Sequence, residues 1–468
     1  MAKQRNATDV TIKKLEIYAS TGSYNLEPHL LELNIYENIF KSFLSANIVL
    51  TDSHNIPYKL PIVGEETIDV DIVLSGYDGV GDEEKHSIVP PRLHVNSLTD
   101  RYFTKPKAQA FTLSCVSEKC MSSQHSKVSK SYNGKSISFI VDDIFFNYLF
   151  DGDRGLFFEP TDRIENIIIP NLTPIQAIQW LAKRATKKDG NGVNYLYYET
   201  MDESHFVSLD TLIGAEPRVK FIHRPRVDDP TGTSFISEDI FKIEKFYFTK
   251  NFDKIENTKK GMYSSKLITH DITTKTIQQH EYNGFNDWFG LNHCGIYPPI
   301  SNSDMELKIA DVPRTSHAPI DEPVNQPNLG WMVDSKVDFF PKHENMYSIN
   351  ANEIYNNKVE QWKQQRSAHI QHMEGTTIVF DVSGNSSLRV GETITLILPS
   401  PETTDKDKKS DVGDDKFLSG KFLVTSIRHI FSRTDSTDPK VTYTMKVEAT
   451  KDGYEQLVPV REARDRED

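Results

Sequence analysis

The chain has 468 residues and a formal net charge of −13 at neutral pH. At about 150 residues per domain, this length predicts roughly three units and excludes a single hydrophobic core. Three cysteines are too few for a disulfide framework, and the acidic balance argues against stable nucleic-acid binding, which needs clustered Lys and Arg.

The first predicted unit, residues 1–115, reads as β structure. Its opening stretch, MAKQRNATDVTIKKLEIY, lacks the apolar core of a signal peptide, and no run approaches the ~20 apolar residues of a membrane span. We therefore expect synthesis in the cytosol and no stable membrane binding. Alternating apolar residues predict two inward-facing strands: Leu31, Leu33 and Ile35 in the first, and Ala46, Ile48 and Leu50 in the second. The segment 67–76 is a further strand, and 76–86 is an exposed turn.

The connector between those two strands, YENIFKSFLS at 36–45, is unusually apolar. Connections between strands are normally polar and broken by Gly or Pro. Here Ile39, Phe40, Phe43 and Leu44 have the spacing of one stripe on a helix of two turns, too short to be stable in water alone. A partner or the chain's own core must bury this stripe, and the sequence leaves both possibilities open.

The second unit, residues 116–225, is predicted to be mixed α/β. Apolar residues at a spacing of 3.6 predict a helix with an inward-facing stripe within SISFIVDDIFFNYLF, 136–150. The residues of that stripe are Ile137, Ile140, Val141, Ile144, Phe145, Tyr148 and Leu149. A second helix follows Thr173 as N-cap, with Pro174 at its first position and Gln176 completing a capping box. Two strands flank the turn at 201–204.

Strands return in the third unit, residues 226–345, which includes a Pro-rich excursion at 298–327. The fourth unit, residues 346–468, begins with a helix and ends with alternating strands typical of a small β barrel or sandwich, interrupted by a charged loop at 399–416. The helix has a narrow predicted apolar stripe and should be partly exposed. The residues of that stripe are Ile354, Tyr355, Val359, Trp362 and Ile370.

The sequence offers little chemistry for catalysis or for cofactor or metal binding. His369 and His372 lie one helical turn apart and are able to share a metal, but no third ligand is evident, so we interpret them as a solvated helix face. Cys294 follows His293, which is poorly placed to act as its base, so a buried or bystander thiol is expected. The DGDRG segment, 151–155, lacks the later ligands of a calcium loop. We predict no catalytic, cofactor or metal site.

Several stretches resemble the baseplate hub proteins of contractile-tailed bacteriophages. The resemblance covers most of the chain from about 10 to 450 and rests on the order and spacing of patterns. The stretches are KVSKSYNGKSISFIVDDIFFNYL, IIIPNLTPIQAIQWLAKRA, NYLYYETMDESHFVSLDTL, GMYSSKLITHDITTKTIQQHEYN, SLRVGETITLILPSP and LSGKFLVTSIRHIF.

This resemblance implies an α+β, mostly β fold with two tail-tube-like β-barrel domains, a mixed α/β domain and a small C-terminal β domain. It also implies a homotrimer in which six tube-like domains form a ring that adapts a hexameric tail tube to a trimeric central spike. Related proteins form the upper part of type VI secretion spikes. The implied partners are the tail tube protein, the central spike protein and other baseplate proteins, with DNA only as passing cargo, and the implied location is the virion tail baseplate.

In such a ring, the connector residues Ile39, Phe40, Phe43 and Leu44 become candidate interface residues, buried by the next domain or by the tube. The alternatives are a tail-associated hydrolase or peptidase, or a glycan-binding tail-tip protein. The first needs a catalytic constellation that the sequence lacks. The second needs exposed aromatic platforms, for which Trp331 and Trp362 are the candidates.

Overall fold

The structure is a computed structural model. It describes residues 8–74, 87–150, 152, 154–162, 164–188, 192–223, 241–272, 274–284, 288–299, 336–342, 359–400, 414–433 and 440–456. Several predicted features lie wholly or mostly outside these ranges. They are the turn at 76–86, the Pro-rich excursion at 298–327, Trp331, the start of the third predicted helix with Ile354 and Tyr355, and the charged loop at 399–416.

The described residues are mostly β. The strands are β1 (Asp9–Ala19), β2 (Gly22–Asn25), β3 (Leu30–Asn38), β4 (Ser45–Asp52), β5 (Thr67–Leu74), β6 (Ser87–Ile88), β7 (Leu93–Lys105), β8 (Ala108–Ser117), β9 (Val128–Ser136), β10 (Leu156–Phe158), β11 (Ile164–Leu172), β12 (Tyr195–Glu199), β13 (Ser204–Ser208), β14 (Val219–Ile222), β15 (Ile243–Lys250), β16 (Ser264–Asp271), β17 (Thr276–Asn283), β18 (Val337–Lys342), β19 (Thr376–Ser383), β20 (Thr393–Ile397), β21 (Gly420–Arg433) and β22 (Val441–Lys451).

The helices are fewer, and several are short. They are α1 (Ile56–Lys59), α2 (Glu118–His125), α3 (Ile137–Tyr148), α4 (Pro174–Ala182), α5 (Leu209–Gly214), α6 (Lys254–Lys259) and α7 (Val359–Met373), with 3-10 turns at Glu27–His29 and Trp288–Gly290. None of the helices in the described ranges has the length and apolar character needed to cross a membrane.

One sheet of 14 strands joins the two ends of the chain. Its order is β14-β20-β21-β3-β4-β8-β7-β5-β1-β22-β19-β15, with β2 and β6 beside β1 and β5. The strands predicted as a separate C-terminal β domain therefore continue the sheet of the first unit, since β21 pairs with β3 and β1 pairs with β22. Alternation identified these strands correctly, but it carries no information about which strands pair.

The strand pairings of this sheet form a closed circuit. Because β21 also pairs with β22, the pairings run from β21 through β3, β4, β8, β7, β5, β1 and β22 back to β21. On the other side of the β21–β22 pair, β20 and β14 extend from β21, while β19 and β15 extend from β22. A bridge between Ile222 and Lys242 links the ends of this second set.

Pairing register places the apolar faces of β3 and β4 in the large core. Leu33 lies opposite Ile48 and Ile35 opposite Ala46, and all four are buried. These predicted faces are confirmed. Leu31 is an exception, because the register shifts between Leu30 and Glu32 and this irregularity leaves Leu31 half-buried.

A second core lies in the mixed unit, between helices α3 and α4 and the sheets β9–β11 and β10–β13–β12. The predicted helices are confirmed. Ser136 caps α3 by accepting a hydrogen bond from the backbone of Phe139. Thr173, Pro174 and Gln176 form the predicted capping box with proline at the helix start, which satisfies backbone donors that a helix start leaves free.

Helix α7 packs on β16 of a third small sheet, β17-β16-β18. The side-chain amide of Gln364 donates to the carbonyl of Ser265 over 2.8 Å. Val359 of the predicted stripe is buried, but Trp362 and Ile370 are only half-buried. The predicted stripe is therefore only partly correct, because polar side chains occupy much of the buried face of this helix.

Candidate assembly surface

The apolar connector between β3 and β4 is not a helix. Residues 39–44 form turns and bends after β3 ends, and the amide of Phe40 binds the side chain of Asn38 over 2.7 Å. Four apolar positions at helical spacing are thus insufficient for a helix here, because a segment this short takes its shape from its tertiary contacts.

The connector rests on two other parts of the same chain. The amide of Ile39 donates to the carbonyl of Thr425 in β21 over 3.0 Å. On the other side, the amide of Leu44 donates to the carboxylate of Glu199 in β12 over 3.1 Å. The connector therefore sits between the large sheet and the mixed unit.

The four candidate interface residues have different environments. Ile39 and Leu44 belong to the large core and are at most 1% exposed, so self-packing accounts for both. Phe43 is half-buried and packs against the core of the mixed unit. Phe40 is 55% exposed. It is the member of the set that remains available to a partner.

Buried charges lie behind the connector. Glu199 accepts hydrogen bonds from the Ser117 hydroxyl over 2.5 Å and from the Lys119 ammonium over 3.2 Å. Glu37 accepts the amide of Met201 over 2.8 Å, and burial raises its pKa to about 7 despite the nearby Arg389. These pairs join the first unit to the mixed unit.

A second apolar surface lies on α3 and just beyond its C-terminal end. Phe139, Phe146 and Phe150 are 46%, 50% and 44% exposed, and the ring centroids of Phe146 and Phe150 are 5.2 Å apart. We call these three residues the phenylalanine surface. The predicted inward stripe of α3 did not include them. Three phenylalanines away from that stripe were the sequence signal for an exposed apolar face.

Exposed apolar residues are concentrated around this helix. Of the 22 large hydrophobic side chains that are exposed in the described ranges, seven fall between residues 139 and 168. They are Phe139, Phe146, Phe150, Phe157, Phe158, Ile164 and Ile168. Concentrations of exposed apolar side chains are typical of protein interfaces. This region of the mixed unit is therefore the strongest candidate for contact with another protein.

The interpretation of His369 and His372 as a solvated helix face is wrong. Both side chains are buried, at 1% and 2% exposed, because this face of α7 packs against the 288–299 segment and the end of β22. Burial lowers their pKa values to about 4 and about 3. The sequence offered no third metal ligand for this histidine pair, but the structure places two further ligand groups near His369. Ligand atoms of His369, His293 and Asp452 all lie within 4.8 Å of one another.

His293 is held on both sides of its ring. Its Nε2 donates to the carbonyl of Trp288 over 2.8 Å, and its Nδ1 lies 2.6 Å from a carboxylate oxygen of Asp452. The ring stacks on the indole of Trp288 with centroids 3.4 Å apart. Burial raises the pKa of Asp452, but the hydrogen bond and charge of His293 outweigh it, so that pKa lies below its ordinary value.

Cys294 is buried, as expected. Its backbone amide donates to Asp452 over 2.8 Å, and burial raises its thiol pKa well above the ordinary value. A thiol that stays protonated is a poor nucleophile. The imidazole of His293 is engaged by Asp452 and Trp288, so the pair is not a nucleophile with its base.

Comparison with known proteins gives matches at the level of structure. Neither a family model nor a curated protein sequence matches the chain. A tail protein from Neisseria meningitidis matches 94% of this chain and 97% of its own length, with TM-score 0.51 and 12% identity. The 43 kDa tail protein of prophage MuSo2 from Shewanella oneidensis matches 94% of this chain and 98% of its own, with TM-score 0.50 and 10% identity.

A chain of the Francisella PdpA-VgrG complex matches 98% of this chain and 56% of its own length, with TM-score 0.45 and 13% identity. The first two matches span nearly the whole of both chains. This chain therefore has the fold of phage tail proteins, in agreement with the resemblance that its sequence patterns carry.

Proposed function

We propose that this chain, which has the fold of phage tail proteins, is a trimeric baseplate hub that adapts a hexameric tail tube to a trimeric central spike. The observation that carries the proposal is the extent of the shared fold, 94% of this chain against nearly the full length of two tail proteins. A structural role in the tail follows from that likeness, and the hub role is the more specific step.

The strand pairings support two tube-like barrel domains. The closed circuit of eight strands gives one candidate, and the six strands β14, β20, β21, β22, β19 and β15 give a second that shares the β21–β22 pair. Barrel closure removes exposed sheet edges, which otherwise invite uncontrolled pairing. Two such domains in each of three chains produce the six positions that a hexameric tube requires.

Exposed apolar residues supply candidate contacts for the trimer and its neighbours. Phe40 is exposed on the connector, and the phenylalanine surface is exposed on α3 and just beyond its end. Aromatic side chains are enriched at the energetic centres of interfaces. We assign Phe40 to the contact with the next domain or the tube, with Ile39, Phe43 and Leu44 shaping the connector beneath it.

The remaining parts of the proposal concern location and chemistry. The protein would reside in the tail baseplate, contact the tube, the spike and other baseplate proteins, and line part of the DNA conduit. We propose no enzymatic activity and no cofactor for this role, since adapting one symmetry to another needs surface complementarity and no bond-breaking chemistry.

Native mass spectrometry of the purified chain tests the proposal. We expect a species of three times the chain mass of 53.5 kDa, either alone or once the tube and spike proteins are added. Phe40→Asp and Phe146→Asp should each weaken assembly, because a charge would have to be desolvated in the contact. Phe252→Asp is the matched control, since Phe252 is 78% exposed and lies on neither surface.

A chain that stays monomeric or dimeric with both partners present would overturn the trimeric hub. Normal assembly of both the Phe40 and Phe146 variants would instead show that these two surfaces are not part of the interface.

A further inference from the structure

Three segments that are distant in sequence converge on one buried polar cluster. His293 lies in the segment after β17, His369 on α7, and Asp452 directly after β22. Their ligand atoms lie within 4.8 Å of one another. Two imidazoles and a carboxylate are a donor set that suits divalent transition metals, zinc above all.

The cluster contains a buried atom that no described residue satisfies. Nε2 of His369 is buried and makes no hydrogen bond within the described ranges. Oδ1 of the neighbouring Asn194 is also buried and has no hydrogen-bond partner there. An unpaired buried polar atom has a cost in folding stability. An ion pair between His293 and Asp452 alone leaves this cost unexplained, whereas a metal ligand role for His369 removes it.

Neighbouring groups hold the other ligands in the orientation that metal binding needs. The carbonyl of Trp288 accepts a hydrogen bond from Nε2 of His293. Nδ1, which hydrogen-bonds Asp452 in the metal-free chain, is therefore the atom that would bind the metal, with release of its proton. The amide of Cys294 binds Oδ1 of Asp452, so Oδ2 is the oxygen that faces His293. Such outer contacts fix the tautomer and direction of metal ligands in known sites.

His369 reaches the same state by turning over one amide group. Its Nδ1 lies 3.4 Å from the amide nitrogen of Asn194. With that amide reversed, Nδ1–H of His369 donates a hydrogen bond to Oδ1 of Asn194, and Nε2 has a free lone pair. The reversal gives up a 3.4 Å contact between Asn194 and the carbonyl of Arg366, and it moves the amide nitrogen to the position where Oδ1 now has no partner. Side-chain amide orientations are assigned from such networks.

We propose that His293, His369 and Asp452 bind one divalent transition metal, with zinc as the best fit, and that this ion is a structural staple. Tetrahedral ligands at about 2.1 Å from zinc are about 3.4 Å apart. Nδ1 of His293 and Oδ2 of Asp452, now 2.6 Å apart, would therefore separate by less than about 1 Å. The fourth position of the tetrahedron is open to water.

The ion would join the 288–299 segment and α7 to the end of the large sheet. Structural zinc sites contribute directly to folding stability, because the unfolded chain has no preformed site. The staple is independent of the hub role, since it concerns how this chain holds itself together.

Metal analysis of untagged protein tests the staple. We expect about one zinc ion per chain after purification or after reconstitution with zinc sulfate, and a lower melting temperature once a chelator has removed it. Cobalt(II) in place of zinc should give the intense visible absorption of a tetrahedral site. His369→Ala and Asp452→Asn should each abolish stoichiometric binding, and Asp452→Asn preserves the side-chain shape if His369→Ala fails to fold.

His125→Ala is the matched control, because His125 is exposed on α2, and it should bind metal as the unmodified chain does. The proposal is overturned if the protein neither contains nor takes up zinc, or if the chelator leaves the melting temperature unchanged. It is equally overturned if the cluster variants bind as much metal as the control.

Discussion

Glu37 shows how one buried side chain ties stability to pH. The carboxyl is fully buried between the mixed unit and the segment before β20, where it accepts the amide of Met201. Burial raises its pKa from 4.5 to about 7, an effect that the charge of Arg389 opposes without cancelling. A carboxyl with a raised pKa binds its proton more tightly in the folded chain than in the unfolded chain.

This difference in proton affinity has a definite sign. The contribution of Glu37 to stability is fully present below pH 4.5 and is lost as the pH rises towards 7. The loss amounts to about 3 kcal/mol. In Glu37→Gln, which cannot ionise, we expect a smaller fall in melting temperature between pH 5 and pH 8 than in the unmodified chain.

Melting curves of both proteins at each pH check this expectation. Glu244→Gln provides the control, because Glu244 is exposed on β15 and its replacement should leave the pH profile as it was. Parallel profiles for the Glu37 variant and the unmodified chain would mean that Glu37 does not set the pH response.

At the scale of elements, α4 depends on its capping box. The Thr173 hydroxyl accepts the amide of Gln176 over 3.3 Å, and the Gln176 side chain accepts the amide of Thr173 over 3.2 Å. Thr173→Ala removes one of these two hydrogen bonds and should lower the stability of the helix by about 1 kcal/mol. Amide hydrogens in the first turn of α4 should then exchange about fivefold faster, as local opening becomes easier.

Hydrogen exchange read by mass spectrometry measures this change directly. Thr99→Ala is the control, because Thr99 is exposed on β7, and it should leave α4 unaffected. Unchanged exchange in the Thr173 variant would show that packing of Ile178 and Leu181 alone holds the helix.

Local patterns predicted some elements well and others poorly, for a physical reason. The caps and apolar stripes of α3 and α4 are local, so the sequence reveals them directly. The conformation of the connector and the buried face of α7 depend instead on contacts with segments that are distant in sequence. Leu44 meets Glu199 from a distant strand, and His369 is buried by the His293 segment and the end of β22. No periodicity within either segment carries that information.

The candidate site residues also divide into those that local sequence reveals and those that depend on tertiary contacts. Phe40 is exposed, as expected of a residue that contacts a partner, but Ile39 and Leu44 are buried in the core of the same chain. The histidine pair on α7 was visible in sequence, whereas Asp452 lies 80 residues or more along the chain and its pairing with His293 spans 159 positions. Only the fold brings these ligands together.

For the whole molecule, charge and the proposed conduit suggest a test. The net charge is −13, and fixed cations in a channel wall would retain DNA by releasing its counterions. We expect more Asp and Glu than Lys and Arg on the wall of the assembled ring. In gel-shift assays, we expect no complex with double-stranded DNA at physiological salt and micromolar protein.

The same assay at low salt is the internal control, because weak contacts with phosphates strengthen as salt falls. A salt-sensitive complex at physiological ionic strength, or a channel lined by Lys and Arg, would refute the acidic wall and leave the trimeric hub untouched.

The closed circuit of strands also sets an order of events during synthesis. Strand β3 must wait for β21, whose residues follow about 390 positions later, as the Ser426–Glu37 contact illustrates. Until then the edges of β3 and β1 stay open on the ribosome, while the mixed unit, whose contacts are local, is able to fold early. The chain therefore completes its sheet only when its final strands emerge, so a truncated product lacking β21 and β22 has no way to close the circuit.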